Sequence, residues 1–295
     1  MISMQNFYWY LICFLKWLFC RLPHGAAVRL GARLGGVMWL ISKKKVDGAE
    51  RRCVRALQIG ITPARRIVRE SYRNIGRAVA ETLRLPVTAR HIERYVSAEG
   101  MENVRSALDR GRGVILLLGH LDNWEAANIY VSRFFPLNVI GADQRDSRIT
   151  RLLMHIRSLG GARNIQKGNG LKGAVRCLRN GEVLCILHDQ DARDKGLIVP
   201  FLGQPASTPA GVAKLAAKFG AAVVPTHIMR CGDGLTHKVI FEPALSDPSG
   251  RPFGEDEELC LRLCNDCIGR WILEHPEQWL IWLYPRWAST VAGDQ

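Results

Sequence analysis

The pattern of hydrophobic and polar positions changes character three times along the chain. Residues 7–20 are almost continuously apolar and aromatic, with Lys16 as the one charge. Arg21-Leu22-Pro23 breaks the run, and residues 28–41 resume as a second helical pattern with Arg29 and Arg33 one turn apart on one side. The stretch 43–73 then turns basic, with Lys43, Lys44, Lys45, Arg51, Arg52, Arg55, Arg65, Arg66, Arg69 and Arg73 opposed by Asp47, Glu50 and Glu70. From Ile92 onward, short aliphatic runs alternate with amphipathic segments. They predict strands over 114–119, 137–142, 182–189, 221–229 and 237–242. Helices are expected over 102–110, 123–135, 148–159, 171–178, 208–219 and 255–274, with Asn180-Gly181 and Gly220 as helix stops.

Strands separated by helices of this length imply an α/β fold with a largely parallel central sheet flanked by helices. An N-terminal hydrophobic, membrane-associated helical segment precedes it. The division expected is 1–42 for the anchor or interfacial helices and 43–295 for the α/β domain. Residues 7–20 fall short of the roughly 20 residues that a span requires. They lack the basic start and small-residue cleavage site of a signal peptide. Trp9, Trp17 and the neighbouring tyrosines suit a membrane interface, and the other reading is a buried helix of the core.

Composition narrows the partners. Of 295 residues 47% are apolar, so one large core can be buried, and the net charge of +14 calls for anionic partners. A basic belt just after an apolar segment suits an anionic membrane surface; the other reading is a solvated helix face. No groove-reading or base-stacking motif accompanies the belt, so nucleic acid is not expected. The nine cysteines are scattered without a paired framework, which points to reduced thiols.

The candidate chemistry lies where the aliphatic run Val114-Ile115-Leu116-Leu117-Leu118 stops at Gly119-His120 and Asp122-Asn123-Trp124-Glu125 follows. A histidine at a strand end and a carboxylate in the next helical turn can form a base and its orienting partner, able to take a proton from a substrate hydroxyl. The same residues also fit a helix cap, with Asp122 as N-cap and Glu125 reaching back. Spacing alone leaves both readings open.

The stretch 119–125 resembles the H-x4-D/E block of glycerolipid acyltransferases, and especially its form in the lipid A late (lauroyl/myristoyl) acyltransferase family. Further blocks resemble that family in the same order: Gly181-Glu182-Val183 with Asp189-Gln190-Asp191, Val199-Pro200-Phe201-Leu202-Gly203 with Ala206 to Gly211, Gly220 to Pro225, and Pro276-Glu277-Gln278-Trp279 with Trp282 and Arg286-Trp287. The resemblance implies transfer of an acyl chain from acyl carrier protein to a hydroxyl of a lipid A precursor or similar glycolipid acceptor. It places that reaction at the cytoplasmic face of the inner membrane, with no metal, cofactor or covalent acyl-enzyme. It implies His120 as general base and Glu125 as its orienting partner. Arg157, at the place of a family arginine near the site, is expected to neutralise phosphate or oxyanion charge, and Asp189, at the place of a family aspartate, to order the site; with Arg145 they are the expected substrate-binding residues. Arg145 stands close to a replaced Arg-Pro-x-x-Asn block and is a partial substitute for it. Asp122 stands where the family usually has Gly, and Tyr284-Pro285 replaces a His-Arg pair.

Rival readings are the same chemistry on another membrane lipid with acyl-CoA as donor, hydrolysis, and a non-catalytic anionic-membrane-binding protein. Other features read as structural: Cys260, Cys264 and Cys267 on one helical face, His188 at a strand end, the tail tryptophans in the core, and Gly168-Asn169-Gly170 as a plain turn.

Overall fold

The computed structural model describes residues 4–141, 144–166 and 170–293. Ala142 and Asp143, and Gly168-Asn169 of the expected turn, lie outside the described residues. Four helices come first: α1 (Met4–Arg21), α2 (His24–Ile41), α3 (Lys43–Leu57) and α4 (Ile61–Thr88). The alternating part follows as β1 (Val96–Glu99), α5 (Met101–Leu108), β2 (Val114–Leu118), α6 (Trp124–Val131), β3 (Leu137–Gly141), α7 (Ser147–Ser158), β4 (Arg163–Gln166), α8 (Gly170–Arg179) and β5 (Val183–Leu187). A hairpin of β6 (Leu197–Phe201) and β7 (Gln204–Thr208) precedes α9 (Gly211–Phe219), β8 (Ala222–Arg230), β9 (His237–Phe241) and α10 (Glu257–Glu274).

The main sheet has seven strands in the order β1-β9-β8-β2-β5-β3-β4. It is parallel except where β8 meets β9. The α/β expectation therefore holds, with an antiparallel step toward one edge. Strand β2 lies in the middle, and all five of its residues are buried. That is why its sequence is uniformly aliphatic instead of alternating. Ile115 and Leu117 enter one core with Trp271, Trp279, Trp282 and Trp287, while Val114, Leu116 and Leu118 enter the other with Ile129 and Val131.

Helix α2 packs on α4 through small residues. A Cβ at Gly31 would fall 2.4 Å from the Gly76 carbonyl oxygen, and one at Gly35 only 2.1 Å from that of Tyr72. The two backbones thus touch, and only glycine fits at the crossing. Helix α1 is held more lightly. Phe19 is buried, but Phe7, Tyr8, Tyr10, Leu11, Phe14 and Trp17 are exposed. No helix among the described residues is long and apolar enough to cross a membrane. The expected membrane association of this segment therefore rests on its exposed apolar face alone.

Helices α3 and α4 tie the C-terminal tail to the sheet. Arg52 donates to the Trp282 carbonyl from Nε and Nη2 (3.0 and 2.7 Å), Ser71 to that of Trp279 (2.9 Å) and Asn74 to that of Glu277 (2.8 Å). Trp279 and Trp282 are thereby tied to these helices through their backbones, and all four tryptophans expected in the core (Trp271, Trp279, Trp282 and Trp287) are fully buried.

Candidate active site

Strands β2 and β5 are parallel neighbours with Leu118 opposite Leu187. The ladder continues one step past the strands, where the His188 N–H donates to the Leu118 carbonyl at 2.9 Å. His120 and Asp189 each lie two residues beyond the paired leucines, so the register itself sets them side by side. The Asp189 carboxylate takes the His120 backbone N–H at 2.7 Å on Oδ2 and His120 Nδ1 at 2.6 Å on Oδ1. Trp279 Nε1 also donates to Oδ2, at 2.8 Å. Burial alone would raise the acid's pKa. His120 and these hydrogen bonds outweigh it and hold the carboxyl down at about 2. An ionised carboxylate only accepts, so the proton of the contact sits on Nδ1 and Nε2 is left with its lone pair. Nε2 takes no partner among the described residues, and the ring stands edge-on to Trp124 with centroids 4.9 Å apart.

This corrects the expected His120–Glu125 pair. Glu125 is in the first turn of α6, but its carboxylate faces Arg157 at the end of α7. Arg157 Nε lies 3.0 and 2.8 Å from the two oxygens and Nη2 lies 2.5 Å from Oε1. Asn128 Nδ2 approaches the other oxygen at 3.5 Å. A bidentate guanidinium competes for a carboxylate far better than a neutral imidazole does. Burial works against the Arg157 charge, but Glu125 raises its pKa above the usual value. Arg157 runs close over Gly141, where a Cβ would come within 2.5 Å of its Nη1. Arg145 is exposed in the turn ahead of α7 and forms no hydrogen bond or ion pair among the described residues. The structure thus joins His120 to Asp189 and Glu125 to Arg157, and leaves Arg145 outside both pairs.

The cap is also not the one expected. Asn123, not Asp122, is the N-cap of α6, accepting the Ala126 N–H at 3.1 Å. Asp122 adopts φ +40° and is completely buried. Its carboxylate receives Arg230 Nη2 at 2.8 Å and His237 Nδ1 at 2.5 Å. Arg230 and His237 both reach Glu81 of α4 as well, at 2.7, 2.8 and 3.2 Å. Burial opposes the His237 charge, but the two acids prevail and its pKa rises to about 10.

The tail closes over the turn. Leu121 bridges Trp279, the Leu280 N–H donates to the His120 carbonyl (2.9 Å), and the Asp122 N–H donates to that of Gln278 (2.9 Å). Sequence reasoning placed Asp189 at the site but missed Trp279 as its donor and the group Glu81, Asp122, Arg230 and His237. Charged residues at both ends of the β8–β9 connection were the available signal. His188 is buried and neither ring nitrogen has a partner among the described residues; burial pulls its pKa down to about 4. Cys260 and Cys264 are free thiols of the core.

The profile of bacterial lipid A biosynthesis acyltransferases matches residues 3–289. A phosphatidylinositol mannoside acyltransferase of Mycobacterium tuberculosis (strain CDC 1551 / Oshkosh) is 31% identical over 233 residues, 76% of this chain and 70% of that one. The lipid A biosynthesis lauroyltransferase of Escherichia coli K12 is 25% identical over 284 residues, 94% and 90% of the two chains. The palmitoleoyltransferase of the same organism is 24% identical over 285 residues, with the same coverage. With a profile that runs from the first helix to the tail, this chain belongs to the bacterial lipid A biosynthesis acyltransferase family.

Proposed function

We propose that the protein transfers a fatty acyl group from a carrier thioester to a hydroxyl of a membrane glycolipid, with His120 as general base. The observation that carries this reading is the His120–Asp189 contact at 2.6 Å, which protonates Nδ1 and leaves Nε2 as a lone pair. The acceptor hydroxyl gives its proton to Nε2 as its oxygen bonds to the thioester carbonyl carbon. A tetrahedral oxyanion forms, then collapses with breakage of the C–S bond. The imidazolium returns its proton to the leaving thiolate, so an ester and a free thiol result and the enzyme is unchanged. Asp189 holds the ring's tautomer and balances the imidazolium charge. Glu125 and Arg157 act as a pair that fixes α7 against α6; Arg145, exposed and without a partner among the described residues, is available to an anionic head group.

The donor we favour is acyl carrier protein, an acidic partner suited to a chain of net charge +14. The acceptor we favour is a lipid A precursor, because the relatives bearing that name align with almost the whole chain. A mannosylated phospholipid is the second reading, supported by the higher identity to the mycobacterial relatives. The exposed aromatic face of α1, with Lys16 and Arg21 on the same helix, supports work at an anionic membrane surface, at the cytoplasmic face of the inner membrane.

Lipid mass spectra of a strain lacking the protein test the assignment. A lipid A species short of one acyl chain supports the first acceptor, and a phosphoglycolipid short of one chain the second. Unchanged lipids with no transfer from any thioester by the purified protein would leave a membrane-binding role in place of catalysis.

A further inference from the structure

Directly behind the His120 turn lies a buried ionic group that the reaction does not use. The side chains of Asp122, Glu81, Arg230 and His237 are exposed by 0%, 5%, 6% and 2%. Three of them, Glu81, Asp122 and His237, offer ligand atoms within 4.8 Å of one another. A metal ion is not the natural occupant. The Arg230 guanidinium already spans both carboxylates, and the His237 nitrogens already face them. Two acids are thus matched by two cations, Arg230 and a protonated His237. His24 of α2, Arg84 of α4 and Tyr95 line the same small cavity beside this cluster, and Asp233 of the β8–β9 connection also acts on His237.

The group is joined to the site through the backbone. Asp122 holds φ +40°, in the region that aspartate and asparagine enter more readily than other non-glycine residues. Its N–H donates to the Gln278 carbonyl. Gln278 in turn accepts the Arg230 N–H on Oε1 at 2.8 Å, and Nε2 approaches the Arg230 carbonyl at 3.5 Å. The next tail residue, Trp279, donates to Asp189, and Leu280 donates to the His120 carbonyl.

We propose that Asp122 is a positioning residue: clamped by Arg230 and His237, it locks the His120 turn and the Gln278–Leu280 tail segment in the one register that seats the His120 ring on Asp189. Here the left-handed turn is secured by charge. Without the Asp122 carboxylate, Arg230 and His237 would share Glu81 alone and one buried positive charge would be left unmatched, so the turn and the ion group depend on each other.

The inference rests on His120 as the working base, and a spectroscopic readout separates the two. The downfield proton of His120 Nδ1–H, shared with Asp189, is followed by nuclear magnetic resonance in the full-length wild-type protein and in Asp122→Asn, with His120→Gln for assignment and a thermal melt as fold control. Asn tolerates φ above zero and keeps the side-chain shape. The expected result is a folded variant in which that proton exchanges with water at least tenfold faster, or is lost. If Asp122→Asn does not fold, Asp122→Gly, which takes φ +40° freely, carries the same reading. A folded variant with wild-type exchange overturns the proposal. So does unfolding of both variants, which would make Asp122 a stability residue only. Activity surviving in His120→Ala would overturn the base assignment instead, without changing this resonance test in Asp122→Asn.

Discussion

His120 and Asp189 stand 2.6 Å apart although 69 residues separate them, because each lies two positions beyond a leucine paired across β2 and β5. The acid that orients the proposed base is therefore supplied by the neighbouring strand and not by the helix that follows the histidine.

Asp189→Asn is expected to remain folded and to lose about 10³–10⁴-fold in kcat with little change in KM, since the amide can present Nδ2–H to the ring and favour the wrong tautomer. Steady-state kinetics check this. Trp279→Phe, which removes one of three donors to the carboxylate, is expected to cost about tenfold.

Glu125 and Arg157 are buried partners, with side chains exposed by 7% and 13%. Removing one alone, as in Glu125→Ala, leaves a buried charge and should destabilise by about 3–5 kcal/mol. The double variant Glu125→Gln, Arg157→Met should be milder than the sum of the single changes. Denaturant melts of the wild type, Glu125→Gln, Arg157→Met and the double variant form the cycle that checks it, and additive effects would refute the pairing.

Stability should peak near pH 6.5. His237 has a folded pKa of about 10, above its usual 6.5, so its contribution is complete below pH 6.5 and is lost as pH rises toward 10. His188 and His227 have folded values of about 4, so the unfolded chain binds protons more readily and stability falls as pH drops from 6.5 toward 4. Asp189, held at about 2, adds stability that is present above pH 3.8 and is lost as pH falls through 2. Thermal melts across pH 2–10 read this profile, and His237→Gln should flatten its alkaline side.

The exposed face of α1 predicts binding to anionic vesicles. Phe14→Ser with Trp17→Ser should weaken binding to phosphatidylglycerol vesicles by at least tenfold, and co-sedimentation measures it. Both side chains are more than half exposed, so the fold should survive.

Much of the architecture was legible in the sequence. Uniformly aliphatic strands such as Val114–Leu118 and amphipathic helices with glycine stops gave the α/β order, and the resemblance put Asp189 near His120. The β6–β7 hairpin and the short strands β1 and β4 were not legible. Four or five residues with mixed burial carry too little periodicity, and Pro200 and Pro205 mask the hairpin. The partner exchange at the site was equally hidden. Spacing offered Glu125 to His120, but only the strand register brings Asp189 nearer, and only the fold brings Arg157 to Glu125. Asn123 took the cap because Asp122 was held by Arg230 and His237, more than 100 residues away in sequence.

The role of His120 as the base is tested by acyl transfer with purified, folded His120→Ala, measured from lauroyl-acyl carrier protein to a lipid A precursor and to a phosphatidylinositol mannoside. Transfer to the acceptor used by the wild-type protein is expected to fall by at least about 10³-fold while vesicle binding is unchanged. Wild-type transfer rates in that variant would rule out His120 as the base.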